Sequence, residues 1–223
     1  MYFPSDKLYI ETKFIKLEEK VLRKEFEELA KWAKEKLNIT IINVSYSLIN
    51  NKTLPALRII LESQKDYDLM HGDANNPYNQ RYNALIASNY LRILEELKME
   101  GAEKDKAGHF HITYYVFSKV AIIECLNKIP KSDLHQIKAK FASNGLWEIS
   151  IHHGSVILFY HKETDIEKNK ISGISDQIKE EIISIALQYD EFGYLKKEPF
   201  FFGFDSKENF DEKYSGNWYY YFK

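Results

Sequence analysis

The stretch "LWEISIHHGSVILFYH", residues 146–161, decides the fold. Two apolar runs of strand length flank His153 and Gly154, and a glycine at such a point lets the chain reverse within two residues. A tight antiparallel hairpin turning near Gly154 is expected. An earlier pair repeats the pattern. "ITIINVSYSLI" (39–49) and "LPALRIILES" (54–63) read as strands, and "NNKT" between them supplies the turn. Each hairpin lies between amphipathic stretches of helix length. That order rules out a purely parallel doubly wound sheet. It implies an α+β fold with a mostly antiparallel, or mixed, sheet built from two hairpins and additional strands, flanked by helices.

Working outward, residues 16–37 place Leu22, Phe26, Leu29, Ala33 and Leu37 at helical spacing among Lys and Glu. After the polar loop 71–77, Asn76 is placed to cap and Pro77 to open a helix over about 77–99, with Tyr82, Ile86, Tyr90, Ile93 and Leu97 on one face. A strand over about 109–117 and a short helix to about Asn127 follow. In the second half Ser132 is placed to cap a helix that stops at Asn144-Gly145. A helix over about 174–190, a strand at 199–204, a short helix near 206–213 and a last strand at 217–222 complete the reading. Both halves thus run helix, hairpin, helix, strand, an αββαβ pseudo-repeat without residue-level identity. The chain is expected to form a single compact domain, 1–223, in which 1–128 and 131–223 are candidate sub-modules.

Apolar residues make up 44 % and charged residues 29 %, the balance of a folded chain. The net charge of −2 gives no global attraction to nucleic acid or to an anionic membrane. No run approaches the roughly 18 apolar residues that span a bilayer. The N-terminal "MYFPSDKLYIETKF" lacks the apolar core of a signal peptide. The lone cysteine, Cys125, sits in "VAIIECL" and reads as a small buried hydrophobe. A cytoplasmic location is expected. The 16 Tyr and 14 Phe fit a chain rich in Ile, Lys and Asn, whose aromatics mostly fill its core.

Several residues are candidates for chemistry. Alternation along "HFHITYY" puts His109, His111, Thr113 and Tyr115 on one strand face, and imidazoles two residues apart lie about 6.5–7 Å apart at Cα, close enough to share a metal. A catalytic metal site needs a third ligand, and Asp73 leads, followed by His71, His152 and His153. No spacing completes such a set, so neither metal nor cofactor is expected. "HIT" (His111–Thr113) and "HGS" (His153–Ser155) both have the form His-x-Ser/Thr. This pair resembles the motifs of the 2H phosphoesterases. The resemblance implies proton exchange by His111 and His153 and phosphate binding by Thr113 and Ser155, across a cleft between strands.

The tail "SGNWYYYFK" would, as a strand, place Trp218, Tyr220 and Phe222 on one face. Such a strand is expected first to pack in the sheet of its own chain, and alternatively to form an exposed interface, since Tyr and Trp suit interfaces because one end is apolar and the other hydrogen-bonds. These three residues, with His71 and Asp73 of the polar loop, form the candidate binding set. The leading functional expectation is a non-enzymatic interaction protein that covers a partner protein, for example an immunity- or antitoxin-like inhibitor. The alternative is a hydrolase, metal-dependent or phosphoesterase-like, using His109 and His111 with Asp73 or His153. The aromatics are not interleaved with a basic run, which disfavours nucleic acid.

Overall fold

Two hairpins, each extended by a third strand, organise the chain. A computed structural model describes residues 2–50, 54–71, 80–99, 110–198 and 200–223. In it the contacts divide into two compact units, Met1–Val120 and Ala121–Lys223. In the first, β1 (Ile41–Ile49) pairs antiparallel with β2 (Leu54–Leu61), and β2 pairs parallel with β3 (His111–Val116). In the second, β4 (Leu146–His152) pairs antiparallel with β5 (Ser155–Tyr160), and β5 pairs parallel with β6 (Phe201–Ser206). Each is therefore a three-stranded mixed sheet with the second strand in the centre. The α+β class, the two hairpins and the pseudo-repeat all stand.

Ten helices accompany the sheets among the described residues. In the first unit they are α1 (Lys7–Lys16), α2 (Lys24–Leu37), α3 (Gln64–His71) and α4 (Gln80–Glu96). The division between units falls within α5 (Phe117–Asn127). The second unit continues with α6 (Lys131–Lys140), α7 (Glu163–Ile171), α8 (Ile174–Ala186), α9 (Lys207–Tyr214) and α10 (Trp218–Tyr221).

The sequence-expected helix over 16–37 is corrected: α1 ends at Lys16 and α2 begins at Lys24. Glu18 adopts a left-handed φ of 60°, and the N–H groups of Glu19 and Lys20 both donate to the Phe14 carbonyl, which closes α1. The expected C-terminal strand over 217–222 is also corrected. That segment is the helix α10, entered through the left-handed Ser215 and Gly216, with the Asn217 side chain accepting the Tyr219 N–H.

The repeat extends to irregularities. The antiparallel edge strand of each sheet carries a bulge at the same place, between Ile41 and Asn43 in β1 and between Leu146 and Glu148 in β4. In each, the residue after the bulge turns its own side chain onto the next backbone N–H. Asn43 Oδ1 accepts from Val44 N at 2.8 Å, and Glu148 Oε1 from Ile149 N at 3.0 Å. An extra residue leaves a ladder N–H unpaired, and a side-chain oxygen one residue back is the nearest substitute. A second match follows the hairpins, where Asp66 Oδ2 accepts the N–H of Ser63 and Asp165 Oδ2 that of Lys162.

In the first unit Leu57, Ile59 and Leu61 face a core with Phe26, Leu29 and Ala33 of α2 and Ile86, Tyr90 and Ile93 of α4. The opposite face carries Ile60 and Asn43, where α1 packs. Thr12 Oγ1 accepts from Asn43 Nδ2 at 3.0 Å, and Tyr9 stacks on Phe117. In the second unit Leu146, Ile149, Val156, Leu158 and Tyr160 are buried on one face, with Ile137, Ile178 and Ile182 from the helices. The Tyr160 hydroxyl meets Ser175 Oγ of α8 at 2.8 Å. The other face holds Phe159 and Asp205, and α9 and α10 meet it there.

A candidate aromatic cleft

The tail reaches this outer face through polar anchors. Ser206 caps α9 by accepting the Asn209 N–H. Asn209 Nδ2 donates to both oxygens of Asp205, and Tyr221 donates its hydroxyl to Asp205 Oδ2 at 2.5 Å. Burial, reinforced by that bond to a carboxylate, pushes the Tyr221 phenol well above its ordinary range. The bond orients α10 so that positions i, i+3 and i+4 turn inward.

Trp218 lies against Phe210 at 4.2 Å between centroids and edge-on to Phe159 at 5.1 Å. Near-parallel rings then run along β4. Trp147 faces Trp218, Trp218 faces Phe222, and Phe222 stacks on His152 at 4.0 Å. Lys207 Nζ sits 5.4 Å from the Trp147 ring. His153 touches His152 edge-on at 4.0 Å. Burial first, and the neighbouring His153 second, hold the His152 imidazole below its usual pKa.

Of these rings, Trp218, Phe222, His152 and His153 border an open cleft of about 710 Å³, together with Glu148, Ser150, Tyr219 and Lys223. Tyr219 is 69 % exposed, Tyr220 56 % and Trp218 37 %.

The sequence-derived candidates separate as follows. Trp218 and Phe222 share the cleft, but Tyr220 does not join them. One helical step per residue turns it to the opposite side, which corrects the strand-based face. His71 ends α3 in the first unit, stacked on Tyr67 at 4.6 Å. Asp73 and His109 lie outside the described residues. His111 and Thr113 share the outer face of β3, paired in register with Ala56 and Arg58. His153 lies in the β4–β5 turn with a left-handed φ of 48°, and Ser155 begins β5. The phosphoesterase-like pair is thus split between units and between topologically different strands. No group of three or more His, Cys, Asp or Glu among the described residues is arranged to hold a metal.

Sequence reasoning missed Tyr219 as part of the cleft, and Trp147 and Phe210 as the rings that pack against Trp218 behind it. The signal lay in Trp218, Tyr221 and Phe222 at helical spacing after Ser215-Gly216-Asn217, a helix stop followed by a cap. Comparison with protein-family models, with curated proteins and with solved structures gave no match to this chain.

Proposed function

We propose that this chain is a non-enzymatic binding protein that covers the surface of a partner protein with the aromatic cleft of its second unit. The observation that carries the reading is the cleft itself, where a short helix is tied down by the Tyr221–Asp205 bond yet leaves Tyr219 largely exposed. Rigid aromatics lose little conformational entropy on docking and supply large contact area with a hydrogen-bonding tip. An immunity- or antitoxin-like inhibitor is the finer form of this reading, because masking a partner's surface needs no catalytic group of its own. Action in the cytoplasm accords with the buried, unpaired Cys125. No helix among the described residues is long and apolar enough to cross a membrane.

The test is photo-crosslinking in the native host with a benzophenone residue at position 219. One discrete protein adduct that disappears with Trp218→Ala supports the reading. Absence of any adduct, together with phosphodiester hydrolysis by the purified chain that is lost in His111→Ala, overturns it in favour of the hydrolase.

A further inference from the structure

We infer that the free edge of β4 is a docking rail for an extended, acidic peptide segment of a partner protein, which adds to the second sheet as a fourth strand. This rests on the binding-protein reading above and names what is bound.

The backbone of β4 supplies the first argument. β4 is an outer strand of its sheet, and no described strand pairs with its far side. The hairpin closes through two left-handed residues, His153 and Gly154, so His152 and Ser155 face each other as the pair that exchanges hydrogen bonds. From there the register runs unbroken back to Ile149. Alternation then points the backbone groups of His152 and Ser150 toward β5, and those of Ile151 and Ile149 outward. The Ile149 N–H agrees with this, because its acceptor is the Glu148 carboxylate and not β5. The groups left for a new strand are the Ile149 carbonyl and the N–H and carbonyl of Ile151. Natural edges are commonly blunted by lysine, proline or a bulge. Here the bulge guards only the start of β4, and Ile149–His152 contains neither lysine nor proline.

The second argument is that this edge has a cleft on each side. The aromatic cleft of about 710 Å³ flanks the face of Ser150 and His152. A second, of about 340 Å³, flanks the face of Ile149 and Ile151, bordered by Leu126, Ile129 and Leu134. Successive side chains of an added strand point to opposite faces. Alternate apolar residues of a docked peptide would therefore enter the two clefts in turn, as strand addition requires: main-chain bonds supply affinity and alternating pockets supply specificity.

Charge selects the occupant. Among the described residues, Glu148 is the one acidic residue bordering either cleft, and it is already held by Lys138 at 2.8 Å and by the Ile149 N–H. Lys131 borders one cleft and Lys223 the other. A segment carrying Asp or Glu beside its apolar residues complements this rim. A second copy of the chain would bring a second set of the same cations.

The test is selection of a phage-displayed library of random linear heptapeptides on the full chain. The expected winners combine alternating apolar residues with at least one acidic residue. As synthetic peptides they slow amide exchange at Ile151. Ile151→Pro removes an N–H that points away from β5, so the sheet survives, as circular dichroism will verify, while peptide affinity falls at least tenfold. The double variant Lys131→Glu, Lys223→Glu, which touches no backbone group, weakens the same peptides and shifts selection toward lysine-containing ones. No enrichment, or winners that bind both variants as tightly as the original, overturns the proposal. A dimer in sedimentation that Ile151→Pro dissolves overturns it in favour of self-pairing. If the library fails while the crosslink at position 219 persists, the edge proposal falls alone. Loss of both removes the binding-protein reading as well.

Discussion

The indole of Trp218 lies parallel to that of Trp147, 71 positions earlier, with ring centroids 5.9 Å apart and planes 8° apart. A residue of the edge strand β4 and the first residue of α10 thereby share one stack, beside the cleft on which the functional reading rests. Trp218 also packs on Phe210 and Phe159, so it anchors the tail as well as bordering the cleft.

Trp218→Ala should therefore destabilise the second unit, although the ring is 37 % exposed. Loss of its buried area and of its aromatic pairs predicts about 2 kcal/mol. Urea denaturation measures this. A change within about 0.5 kcal/mol, typical of surface substitutions, would show that the stack contributes nothing to the fold.

Tyr221→Phe removes the hydroxyl that reaches Asp205 and should cost about 1 kcal/mol at neutral pH, the partial exposure of the pair reducing the usual value for a bond to a charged group. The same bond predicts an alkaline response. An unfolded tyrosine ionises near pH 10, whereas folded Tyr221, and the half-buried Tyr2 and Tyr114, keep their protons to higher pH. Between those values the folded chain holds more protons than the unfolded one. The tyrosine contribution is thus complete below about pH 9 and declines above about pH 10. Thermal melts across this range, with phenolate absorbance at 295 nm, measure both effects. A Tyr221→Phe chain that declines as steeply as the original would remove Tyr221 from the account.

Gly154 and Gly173 both have left-handed φ, +82° and +77°, but different surroundings. A Cβ on Gly154 would lie 2.8 Å from Ile123 Cγ1, whereas one on Gly173 would meet nothing within 4 Å. Gly173→Ala carries only the backbone penalty, roughly 1 kcal/mol, and Gly154→Ala adds a steric one, for about 2–3 kcal/mol in total. Equal denaturation midpoints for the two variants would contradict this difference.

The matched bulges should respond unequally. Asn43 is 5 % exposed and serves both Val44 N–H and Thr12 Oγ1, so Asn43→Ala strands a buried donor at a cost of about 2–3 kcal/mol. Glu148→Ala leaves the Ile149 N–H at an open edge where water replaces the carboxylate, and breaks one part-exposed ion pair with Lys138, for about 1 kcal/mol or less. Reversed magnitudes in chemical denaturation would mean that burial does not govern the two sites.

Much of the architecture was legible in the residues alone. Alternating apolar runs around "NNKT" and His153-Gly154 specify hairpins because turn chemistry and strand periodicity are local properties. The spacing of Ile178 and Ile182, and of Ile86, Tyr90 and Ile93, specifies amphipathic helices for the same reason. The burial of Cys125, 2 % exposed with its Sγ at 3.1 Å from the Ala186 carbonyl, followed from its apolar neighbours.

The tail was decided elsewhere. "NWYYYF" is aromatic at every position after Asn217, so apolar periodicity cannot separate a strand from a helix. Short α3 and α7 carry little helical signal in the sequence, because each buries only a narrow apolar stripe, such as Met70 or Ile166, while its other faces are polar. What sequence determined by itself were the segments whose turns and periodicity agree over short range: two hairpins among amphipathic helices, hence the α+β class. Tertiary structure alone decided that β3 and β6 join their sheets in parallel, and that α10 coils so that Trp218 meets Trp147 and Tyr221 meets Asp205. Those partners are distant in the chain, and the energy of burying rings and completing a hydrogen bond outweighs the weak local preference of a four-residue segment.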